Sequence, residues 1–210
     1  MSLSTEKWSM PDRGALFVVT GASGTGKTTL VREALGSIPG LRFSVSATTR
    51  APRDGEVDGK DYHFLQRAEF ERRVQAGDFL EWAEVYGNGY GTLKDQVEEA
   101  LSSGQSILLD IDTQGADLVR AAAPEAVTIF ILPPSIEVLA DRLKSRATDA
   151  PEVIDRRISE AQLQLSACGS FDYLVINDHL QSAHDQFQAV LVAELLRTRR
   201  SPSLVSKFTD

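Results

Sequence analysis

The sequence predicts an α/β fold: a parallel sheet flanked by helices, with an inserted lobe. Three observations carry that expectation. Short apolar runs of the kind that form buried parallel strands recur along the chain. Helix-period segments separate them. The length of 210 residues suits one compact unit with an insertion and excludes an array of domains. The first run, Ala15 to Thr20, holds two β-branched valines and stops at Gly21, so a buried strand followed by a helix is expected there. Ser106 to Asp110, Val127 to Leu132 and Tyr173 to Ile176 repeat the pattern. Ile154, Ile158, Ala161 and Leu165 mark the apolar face of one helix, with Asp149 and Glu152 placed to cap its start. Phe187, Leu191 and Leu195 mark another.

Residues 48–92 break this rhythm, being richer in charge, glycine and aromatic side chains. They read as the inserted lobe, with strands at Tyr62 to Leu65 and Phe79 to Tyr86 around a short helix near Ala68 to Ala76. The expected division is a mobile leader over 1–12, a core over 13–47 and 93–198, the lobe over 48–92, and a basic, Ser-rich mobile tail over 199–210.

Composition narrows the function. Apolar residues at 42% and charged residues at 25% are ordinary for a globular chain, so disorder of the whole is not expected. The apolar runs fall far short of the roughly 18 to 20 residues that cross a bilayer. The polar start, Met1 to Asp12, lacks a signal-peptide core, and a cytoplasmic address is expected. The single cysteine, Cys168, cannot form an intrachain disulfide and reads as a core residue. A net charge of −8 repels polyanions, which disfavours nucleic acid and membrane surfaces as partners and leaves small phosphates open.

One motif carries chemistry directly. Gly21, Ala22, Ser23, Gly24, Thr25, Gly26, Lys27 and Thr28 fit G-x-x-x-x-G-K-[ST], with Thr29 following, between a predicted strand and a predicted helix. From this chain's own composition a chance match is a roughly half-percent event. Glycines let the backbone curl so that its N–H groups face phosphate oxygens, and the helix N-terminus adds a positive dipole end. Lys27 would reach the β- and γ-phosphates of a nucleoside triphosphate. Thr28 would hold Mg²⁺ through its hydroxyl, with Asp110 at the end of its strand as acidic partner; the alternative for Asp110 is a strand-end cap.

The acceptor must lie elsewhere. In FSVSATTRAPRDGEVDGKDY, residues 43–62, Arg50 and Arg53 flank a proline, and Glu56 and Tyr62 follow, a phosphate clamp by composition. Together with the phosphate loop, SVSATTRAPRDGEVDGKDYHF, EWAEVYGNGYGT, ILLDIDTQG and the Pro133-Pro134 strand exit closely resemble guanylate kinase, from about Ala15 to at least Ala189. Gly89, where that family often has an aromatic, and Leu93, where a basic or hydroxyl residue is common, depart from the pattern.

The resemblance implies a P-loop nucleoside monophosphate kinase fold with an ATP loop, a GMP-binding lobe and a lid over about 142–157. It implies that Arg50, Arg53, Tyr62 and Tyr90 hold the GMP phosphate, that Ser46, Glu81, Thr92 and Asp112 surround guanine, and that Glu56 and Asp110 belong to the same site. It also implies that Arg142, Arg146 and Arg157 close over the triphosphate and that Asn177 lies near adenine. A carboxylate such as Glu81 or Asp112 accepts from guanine N1–H and NH₂, whereas adenine has no N1–H to offer. Each residue has a plainer reading. Glu81 could face water, Thr92 with Asp95 could form a capping box for a helix over Leu93 to Ser103, and Tyr62 and Tyr90 could be lobe core. Asp112 could start a helix near Thr113, the arginines could be ordinary surface charge, and Asn177 could be a turn residue.

The expected reaction is Mg²⁺-dependent in-line transfer from ATP to GMP, with dGMP as a second acceptor, within purine nucleotide metabolism. A phosphomonoester of second pKa near 6 is mostly dianionic at pH 7, so no general base is expected. Two rivals stand beside this reading. One is a peptide-binding relative that has lost catalysis, against which Gly26, Lys27 and Thr28 argue. The other is a kinase for a ribosyl phosphate, against which Ser46, Glu81 and Asp112 argue.

Overall fold

The computed structural model describes residues 10–145 and 151–209. The chain enters the core with β1 (Leu16–Thr20), α1 (Lys27–Ser37) and β2 (Leu41–Phe43). The lobe follows with β3 (Ala47–Thr48), β4 (His63–Phe64), α2 (Arg67–Ala76), β5 (Phe79–Val85) and β6 (Asn88–Leu93). It returns to the core with α3 (Lys94–Ser102), β7 (Ser106–Asp110), α4 (Thr113–Ala122), β8 (Val127–Leu132) and α5 (Ile136–Ser145). Then come α6 (Pro151–Ser166), β9 (Tyr173–Ile176), α7 (Leu180–Leu195) and α8 (Pro202–Thr209).

The core sheet is wholly parallel, in the order β2-β7-β1-β8-β9, as the alternation of apolar runs and helices predicts. Every residue of β1 is buried, and its side chains divide by the two-residue period of a strand. Phe17 and Val19 join Leu108, Ile129 and Phe187 on the side covered by α1 and α7. Leu16 and Val18 join Leu109, Val97 and Val119 on the side covered by α3 and α4. Burying a side chain such as Phe17 stabilises by about 1.5–3 kcal/mol, so this double-faced packing holds β1 rigidly under the loop that follows it.

The lobe is a second sheet, ordered β4-β3-β6-β5, over its own small core of Phe70, Phe79, Ala47 and Leu93. The strand at Phe79 ends one residue earlier than predicted: Tyr86 has φ 49 and, with Gly87 at φ 77, forms the two-residue hairpin turn into β6. The predicted helix near Ala68 extends one residue further upstream. Gly89 has a packing reason, since a Cβ there would lie 2.6 Å from the Phe70 ring. The capping box foreseen for α3 does not form: no side chain caps this helix, Thr92 turns to Glu81, and Asp95 accepts from the Gln96 N–H.

The ends of the chain differ from expectation as well. Where a mobile tail was predicted, Arg200 is buried; its guanidinium donates to the carbonyls of Gly14 at 2.7 Å and Glu194 at 2.9 Å, and α8 follows. Asp12, predicted within the leader, accepts from the Ser203 N–H at 2.7 Å. Cys168 is half-buried in a single 3₁₀ turn and not in the main core. Asp149 lies outside the described residues.

Candidate active site

The phosphate loop leaves β1 at the carboxyl ends of the sheet strands, the edge where α/β sheets bind ligands. Gly26 takes φ 86, a left-handed conformation that costs a side-chain-bearing residue about 1–2 kcal/mol. A Cβ on it would also lie 2.2 Å from Asn177 Nδ2. The helix α1 that follows has no side-chain N-cap and no acid in its first turn, so its leading N–H groups point into the loop. The loop is braced from inside: Thr25 is fully buried, its hydroxyl donates to the Ala22 carbonyl at 2.9 Å, and its N–H donates to the same oxygen. Gly21, Ala22, Ser23, Gly24, Lys27, Thr28 and Thr29 line the resulting cavity of about 430 Å³ with Asp110 and Asp112.

Lys27 Nζ is ion-paired with Asp110 Oδ1, which holds the ammonium over the loop. Asn177 is 5% exposed and braces the loop: Nδ2 donates to the Thr25 carbonyl at 2.7 Å and its N–H donates to Leu132. Its own carbonyl accepts from Arg142 Nη2 at 3.1 Å. Arg157 Nη2 donates to Ser23 Oγ at 3.1 Å, so one lid arginine touches the loop itself and Arg142 touches the Asn177 that braces it. Arg146 lies outside the described residues.

A second cavity, of about 200 Å³, opens beside the first and shares Asp110 and Ile111 with it. Ser46, Tyr62 and Thr92 line it. Thr92 is buried and its hydroxyl donates to Glu81 Oε1 at 2.7 Å, which ties the carboxylate to a residue of the cavity wall. Burial pushes the Glu81 carboxyl above its ordinary value; the Thr92 hydroxyl partly offsets this, and the Asp112 charge adds to it. Asp112 also accepts from the Gly115 N–H at 2.8 Å, so it caps α4 as the plainer reading allowed.

Arg50 sits over the Tyr62 ring, 5.3 Å from its centroid, and Tyr62 meets Tyr90 edge to face at 6.1 Å. Glu56 ties this clamp together. One oxygen accepts from Arg50 Nη2 at 2.8 Å and the other from the Arg53 N–H at 2.7 Å. Those bonds, the Arg50 one foremost, hold its carboxyl below the usual range. Glu56 therefore positions the arginines, and the Arg53 side chain is exposed to solvent. Thr48, which sequence reasoning passed over, accepts from the Arg50 N–H at 3.1 Å and donates to the Gly89 carbonyl at 3.0 Å. Only the pairing of β3 with β6 brings it there, so no local spacing signals it.

The residues present suit Mg²⁺. Thr28 and Asp110 share one cavity and offer hard oxygen donors, and a small cation that keeps most of its water needs few protein ligands. No group of three or more His, Cys, Asp or Glu among the described residues forms an all-protein metal cage. No helix among them is long and apolar enough to cross a membrane.

A phosphate loop at the carboxyl end of a parallel sheet, beside a cavity that shares its aspartate and is walled by the tyrosine of an arginine and tyrosine clamp, defines a P-loop kinase for a small phosphorylated acceptor. The comparisons make this particular: the guanylate kinase family model matches residues 13–194, and the chain belongs to that family. It is 49% identical to a guanylate kinase of Symbiobacterium thermophilum over 91% of this chain and 92% of that one. It is 51% identical to one of Dechloromonas aromatica over 86% and 89%. The crystal structure of guanylate kinase from Anaplasma phagocytophilum superposes with a TM-score of 0.67 at 34% identity, covering 91% of this chain and 92% of that one.

Proposed function

We infer that this chain is an ATP:GMP phosphotransferase, a kinase that moves the terminal phosphoryl of ATP to the phosphate of GMP and yields ADP and GDP. The observation that carries the reading is the pair of cavities meeting at Asp110. The loop cavity takes the triphosphate and the lobe cavity the monophosphate, so donor and acceptor oxygens converge on one wall.

The residues divide the work by their chemistry. Backbone N–H groups of the loop, other than those of Thr25 and Thr29 that bond within it, and the Lys27 ammonium neutralise the triphosphate; Arg157, reaching Ser23, adds positive charge. Arg50, held by Glu56, and Arg53 bind the acceptor phosphate, with the Tyr62 and Tyr90 hydroxyls beside them. Glu81 accepts from the guanine N–H groups while Thr92 fixes its rotamer, Ser46 closes the same pocket, and Asp112 adds a further acceptor. Because the acceptor oxygen is already ionised at pH 7, these side chains need only align it and exclude water. Bound Mg²⁺ would be held by Thr28 and Asp110 and would neutralise charge on the phosphate oxygens. The lobe over 48–92 closes toward the core, and Arg142 and Arg157 close over the triphosphate. GMP and dGMP are the acceptors, and nucleic acid and membranes are not partners.

The test is release of ADP from ATP with GMP, AMP, UMP or a ribose bisphosphate offered separately. Turnover with GMP should exceed the others by about 10⁴-fold or more, the discrimination expected of a site built to hydrogen-bond a particular base edge. Comparable turnover with the ribose bisphosphate would instead favour the ribosyl phosphate rival.

A further inference from the structure

The loop cavity has one wall that none of the residues above supplies. On α6, Arg157, Ala161 and Gln164 stand at i, i+4 and i+7, and so share one face of the helix. Arg157 reaches Ser23 of the loop, and Ala161, 2% exposed, packs with Ala22, Leu139 and Leu143. Gln164 is the third point of that stripe. It lines the phosphate-loop cavity together with Lys27, Thr28 and Asp110. It is half-buried, and its side-chain amide makes no hydrogen bond with any of the described residues. An apolar residue would extend the packing of Ala161 at this place, as Ile158 and Leu165 do beside it. An amide here gains nothing from the protein around it.

We propose that Gln164 is a further nucleotide-binding residue, whose Nε2 donates a hydrogen bond to a phosphate oxygen of the triphosphate in the loop cavity. The chemistry of the wall favours this residue type. Asp110 and Asp112 already bring negative charge to the cavity, so a glutamate at 164 would repel the triphosphate. A lysine there would compete with Lys27 for Asp110. The amide supplies a donor and adds no charge, and its place on α6 brings that donor to the cavity from outside the loop segment. The proposal rests on the reading of residues 21–29 as the triphosphate site.

The test is calorimetric titration of the full chain with a non-hydrolysable ATP analogue, comparing wild type, Gln164→Met, Gln164→Glu and Lys27→Ala. Methionine keeps the length of the side chain without the amide, and should weaken the analogue about 10- to 30-fold, the lower part of the range for a hydrogen bond to a charged group. Binding of GMP should be unchanged, which a general loss of structure would not give. Glutamate should bind the analogue more weakly than methionine. Wild-type affinity in Gln164→Met, with Lys27→Ala weakened, overturns the role of Gln164 alone. Wild-type affinity in Gln164→Glu overturns donation by Nε2, because the carboxylate can only accept. Wild-type affinity in Lys27→Ala overturns the reading of the loop itself. If Gln164→Met does not fold, a comparison of Gln164→Glu with Gln164→Asn decides: asparagine keeps the donor and should bind the analogue more tightly than glutamate, and the reverse order overturns the proposal.

Discussion

The two halves of the active site solve one problem, holding phosphate, with different materials. The loop over residues 21–29 is built from consecutive backbone, with a left-handed Gly26, an uncapped helix start and one lysine. The clamp in the lobe is built from side chains drawn from separated segments, in which Arg50 and Tyr62 meet through a cation–π contact and Glu56 ties Arg50 to the Arg53 backbone. Backbone N–H groups cannot be mutated away and are rigid because β1 beneath them is buried on both faces. Guanidinium forks can be retuned one at a time and can move with the lobe. The difference teaches where selectivity resides. The loop reads only phosphate, and the lobe reads the acceptor.

The largest expected effect that separates the halves is at Glu81. Glu81→Gln should lower kcat/KM for GMP by roughly 10- to 100-fold, the worth of a charge-assisted hydrogen bond, and leave binding of an ATP analogue unchanged. Equal damage to both nucleotides would make Glu81 structural. The same substitution sharpens the comparison through stability. Burial raises the Glu81 carboxyl above its ordinary value of 4.5, so the folded state binds its proton more tightly than the unfolded state. Between those two pKa values stability falls as pH rises; above the raised value the full cost is present, and below 4.5 it is absent. Glu81→Gln should therefore be at least as stable as wild type at pH 8, with the difference vanishing on acidification in chemical denaturation.

Asn177→Ala tests the loop half. It leaves the buried Thr25 carbonyl without its partner and should cost about 1–3 kcal/mol in denaturant titrations. The ATP analogue should weaken, and GMP should not. The smallest effect is at Glu56, whose pair with Arg50 is partly exposed. Glu56→Gln should raise KM for GMP only a few-fold, because solvent screens such a pair. A loss as large as that of Glu81→Gln would mean that Glu56 touches GMP directly.

The same contrast explains what could be read from the sequence. The loop was legible because its chemistry is contiguous: an eight-residue motif running from the end of a buried strand into the first turn of a helix leaves little freedom, and the four apolar runs at Ala15, Ser106, Val127 and Tyr173 appear as core strands nearly to the residue. The lobe showed as a break in that rhythm, with its helix and the strand at Phe79 close to their places, but the roles of its site residues were legible only by resemblance. The strand Asn88–Leu93 carries two glycines and no apolar alternation, and Leu41–Phe43 is three residues long, so neither shows a period. Asn177 is buried because β9 ends beneath the loop, a long-range fact that its turn-like neighbours conceal. The basic tail suggested mobility; what holds it is the pairing of Arg200 with Gly14, 186 residues away in the chain.

The claim that two separately built cradles meet at Asp110 is tested most directly by crossing substitutions with ligands. Titrating Lys27→Ala and Arg50→Ala with GMP and with a non-hydrolysable ATP analogue should give a crossed pattern, in which Lys27→Ala loses the analogue and keeps GMP, and Arg50→Ala loses GMP and keeps the analogue. Loss of both ligands in both variants would contradict it.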